Sequence, residues 1–244
     1  MLALREVQLR YRQTLLGVAW VILQPLLTTL IFTFIFGGLL GASSENVRYE
    51  VFAFAGLIPW NVFSQSLQRG GVSLTRDLRL ITKIFFPRII IPIANALSTL
   101  VDFGVSFLIL LILLLVFRIP ITLSCLSLPL ILVLTLLLSI GVGVIFAALN
   151  VYYRDFTYVL PFLIQVWLFV SPLAYSSSII PEKWKWVYSL NPMAGIIDGF
   201  RWAIFGTTNF PAYSLIYSSV VSIVVFLIGM FVFKRLERSF ADVI

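Results

Sequence analysis

The stretch RGGVSLTRDLRLITKIFFPR, residues 69–88, lies between two long apolar runs, and the rest of the chain is read from it. It carries Arg69, Arg76, Arg79, Lys83 and Arg88 against a single acid, Asp77. Gly70-Gly71 interrupts whatever helix precedes it, and Ser73 is an acceptable N-cap for a new one. Leu74, Leu78, Ile81 and Phe85 then recur at i, i+4, i+7 and i+11, which is one face of a helix. Arg76, Arg79 and Lys83 take the other face, and Pro87 stops the helix. The pattern predicts a short basic amphipathic helix between two membrane spans, and the positive-inside rule puts it in the cytoplasm. Two roles suit such a helix. It anchors topology by lying on anionic headgroups, or it docks a cytoplasmic partner.

Composition supports the membrane setting. Of 244 residues 61% are hydrophobic and 11% charged, where a soluble domain has roughly 25% charged residues. A spanning helix takes about 20 apolar residues, so the length accommodates six transmembrane helices with short loops, as one transmembrane domain over residues 1–244. No stretch is long and polar enough for a separate soluble domain. The net charge of +7 therefore belongs to loops beside membrane lipids rather than to a nucleic-acid surface. Cys125 is the sole cysteine, which excludes an intrachain disulfide, and there is no Cys/His metal cluster. With no histidine, a Ser-His or Cys-His nucleophile system is excluded. The N-terminus places basic residues before an apolar run, as signal peptides do. That run is too long for a signal h-region and lacks a small-residue cleavage site, so it is expected to be a retained first span.

In chain order, Leu4, Val7, Tyr11 and Leu15 fall on one helical face while Arg5, Gln8 and Arg12 fall on another. This predicts an N-terminal amphipathic helix flat on the inner membrane surface. Span one is expected over 15–40, kinked at Gln24-Pro25 and loosened at its far end by Gly37-Gly38 and Gly41. Span two covers about 51–67, with Pro59-Trp60 inside it. Span three covers about 89–117 and holds Pro92, Asn95 and Asp102. Arg118 and Pro120 make a tight outer turn. Span four covers about 123–150, where Ser139, Gly143 and Ala147, spaced by four, form a face of small residues that admits a close neighbour. Span five covers about 157–175. Residues 176–211 then break into pieces too short to span, with the Glu182-Lys183-Trp184-Lys185-Trp186 cluster, Asn191-Pro192 and a helical stretch at 193–205. These are expected to be short re-entrant or interfacial helices at the outer face. Span six covers about 213–233, followed by the basic tail Lys234, Arg235 and Arg238.

Of the 17 Lys and Arg residues, three fall at the N-terminus, five in the first inner loop, one in the second and three in the tail, leaving five outside. This bias predicts a multi-pass protein with both termini cytoplasmic. No internal repeat is visible, which speaks against inverted-repeat secondary transporters.

The opening Leu4-Arg5-Glu6, Leu9-Arg10-Tyr11-Arg12-Gln13-Thr14-Leu15-Leu16-Gly17, Trp20 and Gln24-Pro25-Leu26-Leu27 resembles the start of ABC-2-type transporter permeases that export polysaccharides. Asn150-Val151-Tyr152-Tyr153-Arg154-Asp155-Phe156 and Leu190-Asn191-Pro192-Met193 resemble later stretches of the same permeases. The likeness covers nearly the whole chain and suits the exporters of O-antigen, capsule and teichoic acid alike. It implies a homodimer bound to two copies of a separate ABC ATPase, in the bacterial cytoplasmic (inner) membrane, moving a polysaccharide on a lipid carrier. It implies ATPase coupling through the N-terminal helix (Leu4, Arg5, Val7, Arg10, Tyr11) and the first inner loop (Leu74, Arg76, Leu78, Arg79, Ile81, Lys83, Phe85). Arg154 and Asp155 would form a further cytoplasmic contact, and the segment between spans five and six would supply outer gate helices. The chain has no G-x-x-x-x-G-K-[ST] phosphate loop. It is thus expected to bind no cofactor itself, with ATP and Mg on the partner ATPase, and to act as a transport subunit rather than an enzyme.

Other residues admit two roles each. Tyr158, Phe162, Gln165 and Phe169 share one face of span five. That face is lipid or packing surface, or a lining along which sugar rings slide on aromatic faces. Gln165 favours the lining, because an amide facing lipid is costly. Trp20, Phe32 and Phe36 on span one are further lining candidates. Asp102, the one acid deep in a span, is expected to bond neighbouring helices or face a wet cavity rather than relay protons. Asp198 and Arg201, at i and i+3 after Asn191-Pro192, form a local ion pair, or belong to an outer gate or a contact to the carrier's phosphate. The alternatives to polysaccharide export are an ABC-2 exporter of a lipid or drug and a stand-alone secondary transporter.

Overall fold

The computed structural model describes residues 19–44, 47–76, 87–206 and 210–240. Among them the secondary structure is all helical. Helix α1 is Ala19–Phe32 and continues as a wider π-helical segment, Thr33–Leu39. Helix α2 is Tyr49–Gly71, and α3 is the short Ser73–Arg76. Helices α4, Ile90–Leu97, and α5, Thr99–Val116, form one long run broken at Ser98. A 3-10 turn, Leu123–Ser127, leads into α6, Leu128–Tyr152. Helix α7 is Phe156–Val170, α8 is Glu182–Ser189, and α9 is Pro192–Phe205. Helix α10, Ala212–Leu236, ends in a 3-10 turn, Glu237–Ser239.

Four of these runs are long and apolar enough to cross a membrane: Ala19–Leu39, Ile90–Val116, Leu123–Tyr152 and Ala212–Ser239. Helix α2 has the length but carries Asn61, Gln65, Gln68 and Arg69, which lower its hydropathy. Helix α7 is apolar but has 15 residues. These two are the expected spans two and five.

Helix α2 is the axis of the bundle. Of its 23 residues, 17 are buried, and it packs against α1, α4, α5, α6, α7 and α9. Lipid tails are as apolar as leucine, so helices in a membrane associate through close packing rather than through the exclusion of water. The glycines here serve that packing. A methyl group at Gly71 would stand 2.5 Å from Leu160 Cδ2 on α7, and one at Gly70 would meet the Pro92 carbonyl. Helix α2 ends at Gly71, with Val72 as its C-cap, so the break expected at Gly70-Gly71 falls there, and tight neighbours need both glycines. Ser73, by contrast, is not an N-cap: it is the first residue of α3, and its hydroxyl donates to the Gly70 carbonyl at 2.7 Å.

The small-residue face of α6 behaves as expected. Ser139, Gly143 and Ala147 are buried, and Gly143 lies against Leu67 and Gly71 of α2. A second close contact was not read from the sequence. Gly141 of α6 meets Gly229 of α10, so that a side chain on either glycine would run into the opposing backbone.

The fifth run stops earlier than its apolar pattern suggests. Helix α7 ends at Val170, and Ser171 turns extended because Pro172 follows. Residues 171–176 are an irregular, largely buried segment, not the end of a span.

Candidate functional site

Three regions of the bundle hold polar or charged side chains in unusual settings. The first is the basic end. Ser73 and Leu74 of α3 are buried, and Leu74 packs with Ile91, Ala96, Val144 and Ala147 of α4 and α6. The expectation that Leu74 offers its face to an ATPase is thus corrected: at 0% exposure it anchors α3 to its own bundle. Arg76, Arg154 and Asp155 are exposed. Leu4, Arg5, Val7, Arg10, Tyr11, Leu78, Arg79, Ile81, Lys83 and Phe85 lie outside the described residues. The tail closes this end. The Arg88 backbone N–H donates to Glu237 Oε1 at 3.2 Å, and the Tyr152 hydroxyl donates to the Leu236 carbonyl at 3.1 Å. The Phe240 ring fills the space between Tyr152 and Phe233.

The second region is a polar pocket between α1, α2 and α5. Arg69, read from the sequence as part of the basic loop, is here the last charged residue of α2. Its guanidinium donates to Asp102 Oδ2 at 2.7 Å, to Gln65 Oε1, and to Ser98 Oγ at 3.3 Å. Asp102 is therefore held by a neighbouring helix, one of the two roles expected for it. Carrying the pair inside the bundle costs desolvation, which such geometry offsets in part. The pocket beside it has room of 40 Å³ for small occupants and is lined by 13 residues, among them Trp20, Gln24, Asn61, Gln65 and Asp102.

The third region is the irregular segment 171–176 and the helix hairpin that follows. Arg201 of α9 is 4% exposed. Its guanidinium donates to the carbonyls of Phe52, Pro172, Leu173 and Tyr175, at 3.3, 2.6, 2.8 and 3.4 Å, and stacks on the Phe52 ring. Helix α2 leaves Gly56 beside it, because a Cβ there would collide with the guanidinium. Backbone groups of irregular chain are tolerated inside a membrane protein only when satisfied by protein, and Arg201 does this for three carbonyls of the segment, those of Pro172, Leu173 and Tyr175. A guanidinium so enclosed is unsuited to a carrier phosphate, which removes that expected role.

Asn191 performs the parallel task at the start of α9. Its Oδ1 accepts from the Met193 N–H as an N-cap and from Trp167 Nε1 of α7 at 2.8 Å. Its Nδ2 donates to Ser171 Oγ and to the Val170 carbonyl. Pro192 takes the first helical position, where its missing N–H costs nothing. Asp198 is half-buried on α9. Burial pushes the Tyr188 phenol of α8 well above its ordinary value, Asp198 and Tyr175 push it the same way, and Arg201 opposes them. Tyr188 is thus a neutral group at neutral pH. Helix α8 itself is exposed, with Trp184 at 56% and Trp186 at 68%.

The aromatic lining candidates do not gather in one place within the chain. Tyr158, Phe162 and Phe169 of α7 are 81%, 64% and 71% exposed, and Gln165 is exposed beside them. Trp20 stands at the polar pocket. Phe32 and Phe36 meet edge to face, 5.6 Å between centroids, and Phe32 packs on the core. Helix α1 packs on α2 and α5, and α7 packs on α2 and α6. Sequence reasoning missed the Arg69–Asp102 pair and the role of Arg201 as a carbonyl ligand. A lone acid in one apolar run and a stray arginine at the end of another were the available signals.

Residues 1–205 match the ABC-2 type transporter family. The O-antigen export system permease protein RfbA of Klebsiella pneumoniae is 30% identical over 98% of this chain and 92% of its own length. A protein of the same name from Myxococcus xanthus is 30% identical over 98% of this chain and 92% of its own length. The polysialic acid transport protein KpsM of Escherichia coli is 29% identical over 98% of this chain and 93% of its own length.

Proposed function

The chain belongs to the ABC-2 type transporter family, and on that premise we propose that it is the membrane permease of an ATP-driven exporter of lipid-linked polysaccharide, of the O-antigen class. The observation that carries this is likeness along nearly the full chain to permeases named for O-antigen and polysialic acid transport. The helical bundle with four long apolar helices suits a multi-pass membrane protein.

Finer features of the reading follow from physical fit. Helices α2 and α7 complete six spans: the polar residues of α2 are enclosed by its neighbours, and α7 is apolar, though short at 15 residues. Both termini lie in the cytoplasm of a bacterial inner membrane, on the side of the basic loop and tail. Two copies of this chain pair with two ABC ATPase subunits, which carry ATP and Mg. The exposed stripe of α7 then faces either the second copy or the polymer. The chain has no phosphate loop of its own, so work must enter through contact. The surfaces offered for that contact are the N-terminal helix, residues 72–86 with Arg76, and the Arg154-Asp155 turn. Residues 171–205 form the outer gate, its base fastened by Arg201 and Asn191.

The test is deletion of the gene and of the adjacent ATPase gene in the source cell. Loss of surface polysaccharide, with lipid-linked glycan accumulating inside and rescue by the intact chain, is expected. Normal surface glycan without the chain would reject the reading. Co-purification of the ATPase in a ratio of one per permease chain tests the stoichiometry.

A further inference from the structure

The polar pocket between α1, α2 and α5 has side chains that the Arg69–Asp102 pair does not occupy. Seven of its 13 lining residues are polar. Most of these are already engaged: Gln65 and Asp102 accept from Arg69, Thr99 shares a hydrogen bond with Ser66, and Thr28 donates to the Gln24 carbonyl. The side-chain amides of Gln24 and Asn61 are different. Among the described residues neither makes a hydrogen bond, yet both line the pocket. Gln24 is exposed and Asn61 half-buried, so both amides reach the open side of the pocket. A polar group left unpaired among apolar helices is costly, and two amides at one opening point to an occupant that supplies donors and acceptors together.

The character of that occupant follows from the lining. Arg69 and Asp102 neutralise one another at 2.7 Å, so the pocket favours neither an anion nor a cation. A carboxamide presents a donor and an acceptor side by side, which matches two adjacent hydroxyls of a sugar. Trp20, 48% exposed, stands at the rim, where an indole face can take the C–H face of a ring. The room of 40 Å³ holds roughly three water-sized groups, at about 10–15 Å³ each. That suits hydroxyls entering from a ring held at the mouth, not a whole ring inside.

We propose that Gln24 and Asn61, with Trp20 at the rim, form a saccharide subsite that hydrogen-bonds adjacent hydroxyls of one neutral sugar ring of the exported glycan. The subsite rests on the reading of the chain as a polysaccharide exporter, and it lies apart from the aromatic stripe of α7. Its role is to hold the polymer by hydroxyls that every hexose offers.

The test is photo-crosslinking in cells that make the glycan, with p-benzoylphenylalanine placed singly at 24, 61, 162 and, as a control on the outward face of α5, at 115. A glycan adduct at 24 and 61, absent at 115 and absent in cells blocked in glycan synthesis, is expected. In parallel, Gln24→Leu and Asn61→Leu should each slow export about tenfold, the loss of one well-made hydrogen-bond pair. Permease level and ATPase recovery should stay unchanged. An adduct at 162 with none at 24 or 61 would overturn the subsite and leave the exporter standing, with water as the pocket's occupant. Wild-type export by both leucine variants would overturn it equally. Absence of an adduct at every position, together with normal surface glycan in cells lacking the chain, would overturn the exporter reading itself.

Discussion

Helices α2 and α7 lie against one another and are treated in opposite ways. Helix α2 carries three amides, an arginine and a proline near its centre or end, and 17 of its 23 residues are buried. Helix α7 is apolar along its length, and one of its 15 residues, Leu160, is buried. Hydrophobicity therefore does not set position in this bundle. In water the more apolar helix would go inside, whereas among lipid tails the helix with polar groups to satisfy and glycines to admit neighbours takes the centre. An apolar helix needs no protein around it. When its exposed face nonetheless holds Gln165 beside Tyr158, Phe162 and Phe169, that face is a candidate for contact with something other than lipid.

Stability and transport should separate along this division. The largest effect is expected for Arg201→Ala, which leaves the carbonyls of Pro172, Leu173 and Tyr175 without their donor. At about 1–3 kcal/mol for each group left unsatisfied, and with partial relaxation, the loss is on the order of 4 kcal/mol. Thermal unfolding in detergent would show it, and a wild-type melting curve would mean that the α2 side of the contrast is not held by this residue. Asp102→Ala strands the Arg69 charge inside the bundle and should cost about 3 kcal/mol. Replacing both partners, as Arg69→Met with Asp102→Leu, should recover most of that loss in the same assay. A double variant as unstable as the single one would show that Asp102 acts through other contacts.

The amphipathic face of residues 72–86 should split in the same manner. Leu74→Ala removes a buried side chain of the permease and should lower its own stability by about 2 kcal/mol or more. Leu78→Ala with Phe85→Ala should leave permease stability alone and weaken recovery of the ATPase in a detergent pull-down more than tenfold, as for interface anchors worth about 2 kcal/mol. Undiminished recovery would make those two residues membrane anchors. The smallest stability change belongs to α7. Phe162→Ala and Phe169→Ala should shift unfolding by less than about 0.5 kcal/mol while slowing export. Wild-type export rates would assign the stripe to lipid.

Periodicity made much of this legible. The apolar runs located α1, the α4–α5 run, α6 and α10. Asn191-Pro192 marked the start of α9, and the spacing of Ser139, Gly143 and Ala147 marked the face of α6 that receives α2. What a helical pattern conveys is which residues share a face, not what covers it. Leu74 sits on the predicted face yet turns to the permease's own core, because α4 and α6 reach it first. Arg69 looked like the first residue of a basic loop, and only the position of Asp102, 33 residues later, draws it into the bundle. The spacing of Asp198 and Arg201 suggested a local pair and gave no hint of the carbonyls that Arg201 also binds. Its carbonyl ligands come from α2 and from a segment whose irregular path depends on Pro172. Such long-range partners leave no local signal in the chain.

The meeting of Gly141 and Gly229 has a mechanical consequence. With no side chain between them, α6 and α10 touch main chain to main chain, and neither can roll or slide past the other without a collision along the ridge beside that notch. Across the bundle, α1 buries only Val21 and Thr29 and is seated on a pocket rather than a ridge. On the proposed reading, a push applied at the basic end should therefore shift α1 before it parts α6 from α10.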